Sequence, residues 1–155
     1  MTDLRSPELN EAEELLEIQN ESLCEQAVEA YTAEQVAVLT PPDQDAEGYR
    51  SLIENGSFRM LVAEEGGLIG FGGFHAGDCQ IHSLYVSPNH AGEGVGTQIL
   101  TEIECQARDE GCTELFGLVG LNAAEFYAEH GYERVGEEFL NEHPVIPFIR
   151  VEKTF

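Results

Sequence analysis

Residues 86–96, VSPNHAGEGVG, constrain the fold of this chain more than any other stretch. A strand-like end leads into glycines at positions 92, 94 and 96, and apolar residues then recur every four positions from Val95 to Ala107. The pattern predicts a strand, a glycine turn and a helix, which is a local unit of layered α/β architecture. Such a unit points several free N–H groups and the positive end of a helix dipole at one spot.

The rest of the chain completes a mixed α/β pattern with one layer of sheet. Three helical patterns precede residue 56, and three extended segments lie between residues 58 and 87. After the glycine loop and its helix come a short apolar strand (TELFGLVG), a further helix (NAAEFYAEHG) and two closing strands. Three pairs have the spacing of a capping box and predict helix starts: Asn10 with Glu13, Thr32 with Gln35, and Asn122 with Glu125.

Charge is the unusual property of the composition. Thirty Asp and Glu residues stand against seven Lys and Arg, which gives a formal net charge of -23. Two explanations are open: an acidic surface for a cationic partner such as a polyamine or a basic protein tail, or adaptation to molar salt, where a Debye length of about 3 Å screens repulsion. The acids are spread along the chain instead of forming one tail, which favours salt adaptation.

The composition also argues against several classes of protein. No basic stripe is present to neutralise phosphates, so nucleic-acid binding is disfavoured. No segment approaches the ~20 apolar residues of a membrane span, so no membrane association is expected. Because the first residues show no apolar signal segment, we expect a cytoplasmic protein of a high-salt organism.

Cysteine and histidine spacing predicts neither a disulfide framework nor a metal site. The four cysteines show no C-x-x-C spacing and are expected to be free thiols: Cys24, Cys79, Cys105 and Cys112. His75, Asp78, Cys79 and His82 lie close in sequence, but their spacing matches no standard structural zinc site, so no metal is expected.

The glycine loop is neither of the common nucleotide-binding motifs. It lacks the Lys and hydroxyl of a P-loop, and it does not follow a first strand as the dinucleotide fingerprint does. Instead, LYVSPNHAGEGVGTQIL and LNAAEFYAEHGYERVGE together resemble the Gcn5-related N-acetyltransferase (GNAT) superfamily. The first segment resembles the acyl-CoA pyrophosphate loop of that family, and the second its N-x-x-x-F-Y-x-x-x-G-[FY] helix and strand.

The resemblance covers the chain from about Phe58 to the C-terminus and implies its architecture. The implied fold is α/β (α+β), the GNAT fold, with a mixed, mostly antiparallel central sheet of about six or seven strands flanked by helices. Residues 1–155 would form a single N-acetyltransferase domain.

The resemblance also implies the binding residues for acetyl-CoA as co-substrate. They are Leu84, Tyr85 and Val86 on a splayed strand, Ala91, Gly92, Glu93, Gly94, Val95, Gly96 and Thr97 in the loop, and Asn122, Phe126 and Tyr127 on the later helix. Ala91 and Glu93 depart from the family pattern, which usually has Arg or Gln and often a basic residue at these positions. The loop would then act as a backbone cradle in which side-chain charge is expendable.

Two residues are candidates for proton transfer during acetyl transfer. Tyr127 matches the family tyrosine near the CoA sulfur, where a phenol can act as the acid for the leaving thiolate; its alternative role is that of a core aromatic. His82 lies two residues before Leu84, and strand alternation predicts that it shares a face with Leu84 and Val86. An imidazole at that position could be the base. A half-buried histidine with a structural hydrogen bond is the alternative for His82.

The predicted activity is transfer of an acetyl group from acetyl-CoA to an amine of a small molecule or protein. The alternative is a non-catalytic acyl-CoA sensor or partner-binding module on the same fold, which the altered Ala91 and Glu93 keep open. The acceptor cleft would involve residues 10–55 and 137–150, and a homodimer through the last strands is plausible from the family.

Overall fold

The computed structural model describes residues 2–155 and contains a seven-stranded sheet in the order β1-β2-β3-β4-β5-β7-β6. The strands are Asp3–Arg5 (β1), Phe58–Glu64 (β2), Leu68–His75 (β3), Gln80–Val86 (β4), Glu114–Gly120 (β5), Glu133–Leu140 (β6) and Ile146–Thr154 (β7). The α-helices in the described part are Ala12–Gln26 (α1), Ala33–Leu39 (α2), Glu47–Glu54 (α3), Val95–Asp109 (α4) and Ala124–Glu129 (α5). β4 and β5 pair in parallel and the other neighbours are antiparallel. The predicted fold class is confirmed.

Helices cover both faces of the sheet, and the residues of β3 show which helix lies on which face. A Cβ at Gly72 would lie 2.8 Å from Ile99 Cγ2, so α4 packs directly on the backbone of β3. The neighbouring Phe71 points to the opposite face, where it joins the buried cluster that contains Leu15 of α1 and Tyr49 of α3. The sheet is therefore sandwiched between α4 and the α1–α3 layer.

β4 and β5 separate soon after they meet. Their pairing consists of Gln80 opposite Phe116 and Ile81 opposite Gly117, although both strands continue for several residues. The residues beyond Ile81 and Gly117 therefore border a V-shaped opening in the sheet. Backbone groups that face such an opening have no strand partner and remain available to a ligand.

A β-bulge interrupts β4 at His82. Gly73 pairs with Ser83 and Phe74 with Ile81, which leaves His82 as the extra residue on β4. The expectation that His82 shares a face with Leu84 and Val86 is wrong, because a bulge breaks the alternation on which it rested. Leu84 and Val86 pack towards the α4 cluster, whereas the His82 ring contacts Phe58 of the α1–α3 layer.

The capping box predicted for α2 is confirmed, whereas the one predicted for α1 is wrong. Thr32 and Gln35 form the expected capping box at α2. At α1 the capping box is formed by Glu8 and Glu11, ahead of a short 3₁₀ turn, and not by Asn10 and Glu13. The short strand β1 was not predicted from the sequence; it adds to the sheet edge beside β2.

The prediction of four free thiols is wrong for two of them. Cys79 and Cys112 form a disulfide, while Cys24 and Cys105 are free and exposed. The parallel pairing of β4 with β5 brings the turn before β4 next to the turn before β5, which places these two residues side by side. In addition, no helix in residues 2–155 is long and apolar enough to cross a membrane.

Candidate functional site

A cleft of about 510 Å³ occupies the opening between β4 and β5 and reaches both faces of the sheet. This is a typical volume for a small-molecule site. We call the part bordered by residues 91–97 and by α5 the loop side. The part on the other face is the α1 side, bordered by Ser22, Leu23, Gln26, Tyr31, Leu39 and Phe148. Ligands entering from opposite faces can therefore meet between the separated strands.

Two amides of β4 face this cleft. Ser87 N–H donates to Ile69 O at 2.8 Å, so Ser87 directs its hydrogen bonds towards β3. Because hydrogen-bonding directions alternate along a strand, the N–H groups of Leu84 and Val86 point the other way, into the opening. Both residues line the cleft. A carbonyl or an oxyanion placed there would find a donor held by the sheet.

The glycine loop adds a second set of backbone donors. Gly92 and Gly94 have φ values of 79° and 85°, in the left-handed region that glycine adopts without strain. Gly94 is the N-cap of α4 and no side chain caps the helix. The amides of Val95, Gly96 and Thr97 have no carbonyl one turn earlier to donate to. This geometry suits an anion, since it combines free N–H groups with the positive end of the helix dipole.

Glu93 does not place its charge in the cleft. Its Oε1 lies 3.1 Å from Nδ1 of His90, and its side chain is not part of the lining. The other residues that the sequence predicted for the site, from Leu84 to Tyr127, all line the cleft. His90 also lines it and is half-buried.

Tyr127 lies on the loop side, on the inward face of α5, and is 3 % exposed. Its ring contacts Phe126 edge-on at 5.3 Å between centroids. Burial, with a smaller contribution from Tyr85, raises the pKa of the Tyr127 phenol well above its ordinary value. The phenol therefore keeps its proton at neutral pH, as a proton donor must.

Asn122 was predicted to cap α5, and this prediction is wrong. The N-cap of α5 is Ala123, with no side-chain hydrogen bond. The N–H of Ala123 donates a hydrogen bond to Gly120 O at 2.9 Å, and this turn makes the helix begin later than the motif predicted. Asn122 is exposed and lines the cleft, so its amide remains free to contact a ligand.

His82 reaches the cleft from the bulge in β4. His82 is exposed to solvent as a whole residue. Its imidazole nevertheless packs edge-on against Phe58, at 5.3 Å between ring centroids, and against His75, at 5.5 Å. Burial, and secondarily His75, lower the pKa of His82 below its ordinary 6.5. The imidazole is therefore neutral at pH 7 and able to accept a proton.

The sequence prediction placed the acceptor cleft in residues 10–55 and 137–150, and these ranges contain the six residues that border the α1 side, but it singled out none of them. Ser22 Oγ donates to Gln26 Oε1 at 2.9 Å, as expected for residues one turn apart on α1. The Tyr31 hydroxyl donates to Pro147 O at 2.5 Å and accepts from Leu121 N–H at 3.0 Å. No local motif marks these positions, because the surfaces they border belong to β5 and β7, more than eighty residues later in the chain.

Ser83 is the remaining polar residue of the α1 side. It pairs with Gly73, whose Cβ position lies against Phe58, so its side chain points to the face that carries α1. Ser83 is 6 % exposed and lines the cleft, and its Oγ has no hydrogen-bond partner within residues 2–155. A buried hydroxyl without a partner is uncommon and is satisfied at low cost by a ligand group.

Residues 56–134, just over half of the chain, match the model of the acetyltransferase (GNAT) domain. Among curated protein sequences, none matches the chain significantly.

Many solved structures share the fold. A GCN5-related N-acetyltransferase structure from Rhodopseudomonas palustris is 24 % identical, with a TM-score of 0.91 over 100 % of this chain and 96 % of that one. PaiA N-acetyltransferase from Thermoplasma acidophilum, in complex with coenzyme A, is 21 % identical, with a TM-score of 0.81 over 100 % and 99 % of the two chains. A ribosomal-protein-alanine N-acetyltransferase from Brucella melitensis is 25 % identical, with a TM-score of 0.72 over 99 % of both.

Proposed function

Because the chain belongs to the GNAT family of acetyltransferases, we propose that it transfers an acetyl group from acetyl-CoA to an amine of a small molecule or protein. The observation that carries this proposal is the cleft at the β4–β5 opening, where a backbone anion cradle on the loop side meets the α1 side on the other face. Residues 1–155 would act as one catalytic domain. Direct transfer needs both substrates bound at once, and two sides meeting at one point suit that requirement.

The loop side is proposed to bind acetyl-CoA. The free amides from Gly92 to Thr97 would hold the pyrophosphate, and Asn122 and Phe126 would contact the pantetheine arm. Among the residues that the structure describes, no Lys or Arg lines the cleft, so the binding free energy would come from backbone donors and the helix dipole. The N–H of Leu84 or Val86 would stabilise the negative charge that develops on the acetyl oxygen.

Proton transfer is assigned to Tyr127 and His82. Tyr127 would donate its proton to the leaving sulfur, since burial keeps the phenol protonated. His82 would accept the proton of the attacking amine, directly or through a water molecule, because its lowered pKa keeps it neutral. The two residues approach the cleft from α5 and from the bulge of β4.

Calorimetric titration with acetyl-CoA, in dilute buffer and in molar KCl, tests the cofactor proposal first. Micromolar binding that persists in molar KCl is expected, because a cradle of neutral amides is screened less by salt than one of charged side chains. Release of CoA with a panel of amines then tests catalysis. Binding without turnover would replace the enzyme by an acyl-CoA sensor, and no binding at either salt would reject both.

We also propose that the protein works in a high-salt cytoplasm. The support is the spread of acidic side chains and the absence of any buried carboxylate in residues 2–155. Thermal unfolding in increasing KCl tests this, since screening should raise Tm. A Tm that is unchanged or lower in molar KCl would contradict salt adaptation.

A homodimer through β6 and β7 is a further proposal. Every residue of the edge strand β6 is exposed, and Phe139 is 63 % and Leu140 52 % exposed. Exposed apolar edge strands are usually covered in the functional assembly. Sedimentation in molar KCl should show a dimer that Phe139→Ser weakens; a monomer at all concentrations would reject it.

A further inference from the structure

The lining of the α1 side differs from the surface around it. Thirty of the 155 residues are Asp or Glu, yet within residues 2–155 no Asp, Glu, Lys or Arg lines the cleft. Besides its tyrosines, the titratable groups of the lining are His82 and His90. The α1 side itself presents apolar groups from Leu23, Leu39 and Phe148. A ligand bound in the α1 side is therefore in contact with uncharged groups and not with the acidic side chains of the surrounding surface.

An uncharged lining affects the reacting ammonium group of a ligand differently from a second ammonium group on the same ligand. The reacting nitrogen must lose a proton before it attacks, and a neutral, partly dry pocket lowers the pKa of a bound ammonium. A carboxylate beside it would instead favour the charged form. A second ammonium elsewhere on the same ligand gains nothing from this environment, because it is desolvated without a counter-ion.

Ser83 supplies the polar contact that a single amine requires. Ser83 lines the cleft on the face of β4 that carries α1, and its buried Oγ has no partner in residues 2–155. The hydroxyl can accept a hydrogen bond from the amine N–H. One nitrogen thus satisfies the one buried side-chain oxygen of the cleft that lacks a partner.

We infer that the α1 side binds a primary amine whose remaining body is apolar and uncharged, with Ser83 hydrogen-bonded to the amine nitrogen. This inference rests on the proposed acetyltransferase function. It excludes polyamines and basic peptide tails as preferred acceptors, although the acidic surface would attract them. The surface charge then has no role in acceptor choice.

The test compares n-hexylamine with 1,5-diaminopentane, which have the same number of heavy atoms and differ by a methyl against an ammonium group. Both are titrated into protein saturated with CoA, in molar KCl to screen the attraction of the surface for the dication. The reacting amino group is common to both and cancels. We expect hexylamine to bind at least about tenfold more tightly. Equal affinity, or tighter binding of the diamine, would overturn the inference.

Gln26→Glu sharpens the test, because it adds a carboxylate to the α1 side without changing side-chain shape and keeps an acceptor for Ser22 Oγ. The preference should shift towards the diamine by about tenfold. Gln98→Glu makes the same charge change on the exposed surface of α4, outside the cleft, and should leave the ratio unchanged. Equal shifts in both variants would mean that surface potential sets the preference, against the inference.

Ser83→Ala tests the polar contact. Affinity for both amines should fall several-fold while the Kd for acetyl-CoA stays the same. Unchanged amine affinity would remove Ser83 from the site. These titrations need no turnover, so their outcome is separate from that of the proposed function: absence of CoA release with every amine would reject acetyl transfer even if the amines bind as expected.

Discussion

The loop side and the α1 side of the cleft are built from different parts of the polypeptide. The loop side consists mainly of backbone: two left-handed glycines, the first turn of α4, and the β4 amides that face the opening. The α1 side consists of side chains from α1, the following turn, α2, β4 and β7. Neither side contains a Lys, Arg, Asp or Glu in its lining within the described residues.

Because of this difference, the two sides should tolerate different substitutions. A backbone site depends on dihedral angles and helix ends, so most side-chain changes leave it intact, and this explains how Ala91 and Glu93 can occupy the loop. A side-chain site changes its specificity with a single substitution. Cofactor binding should therefore resist point mutation better than acceptor choice does.

Removal of the Tyr127 hydroxyl should have the largest effect, because it is the one side-chain chemistry that we assign to the loop side. Tyr127→Phe should lower kcat by about a hundredfold, the lower part of the range for general acids, with an unchanged Kd for acetyl-CoA. Tyr132→Phe is the matched control, since its hydroxyl donates to Glu104 outside the cleft. Unchanged turnover in Tyr127→Phe would reduce that residue to a packing role.

His82 connects the two sides, and its effect should depend on pH. If neutral His82 accepts the amine proton, kcat should fall as the pH drops through the lowered pKa of this residue, below about 6.5. His82→Gln should remove this limb and lower kcat by about tenfold at neutral pH, since water can partly replace the base. If the fall of kcat at low pH persists in the variant, the titration of another group causes it.

The same lowered pKa links His82 to stability. The unfolded chain binds the proton more tightly than the folded one, so the contribution of His82 is present above about pH 6.5 and is lost as the pH falls below it. His82→Gln should therefore flatten the dependence of Tm on pH in this range.

A change at Gly94 tests the backbone side directly. Gly94→Val forces a β-branched residue into φ 85°, although the space around the glycine is open. Strain of about 1 kcal/mol or more should weaken acetyl-CoA binding about fivefold through displaced amides. Gly56→Val, at an open position without left-handed φ, is the control. Equal affinity in both variants would show that the loop amides do not set the Kd.

The smallest effect is expected for Tyr31→Phe, which probes how the α1 side is held together. Loss of the hydroxyl leaves Leu121 N–H and Pro147 O without their partner. A loss of about 1–2 kcal/mol in the free energy of unfolding should lower Tm by about 2–8 °C. Tyr85→Phe is the control, since that hydroxyl forms no hydrogen bond with a described residue. An equal Tm in both would mean that water replaces the phenol.

Features that depend on residues close together in the chain could be predicted from the sequence. The glycine turn into α4, the Thr32–Gln35 cap and the extended segments that form β2 to β7 follow from local backbone preferences and residue composition. The family motifs, which lie within short segments, likewise identified the residues of the loop side before the structure placed them at the cleft.

Features that depend on contacts between distant segments could not be predicted from the sequence and became visible in the folded chain. His82 leaves the predicted face because one extra residue in β4 forms a bulge against β3, and Cys79 meets Cys112 because β4 and β5 pair in parallel. The neutral α1 side forms where α1 packs over β4 beside β7, which no local pattern encodes. Local preferences set dihedral angles and helix ends, whereas the environment of a side chain is set by packing between elements far apart in the chain.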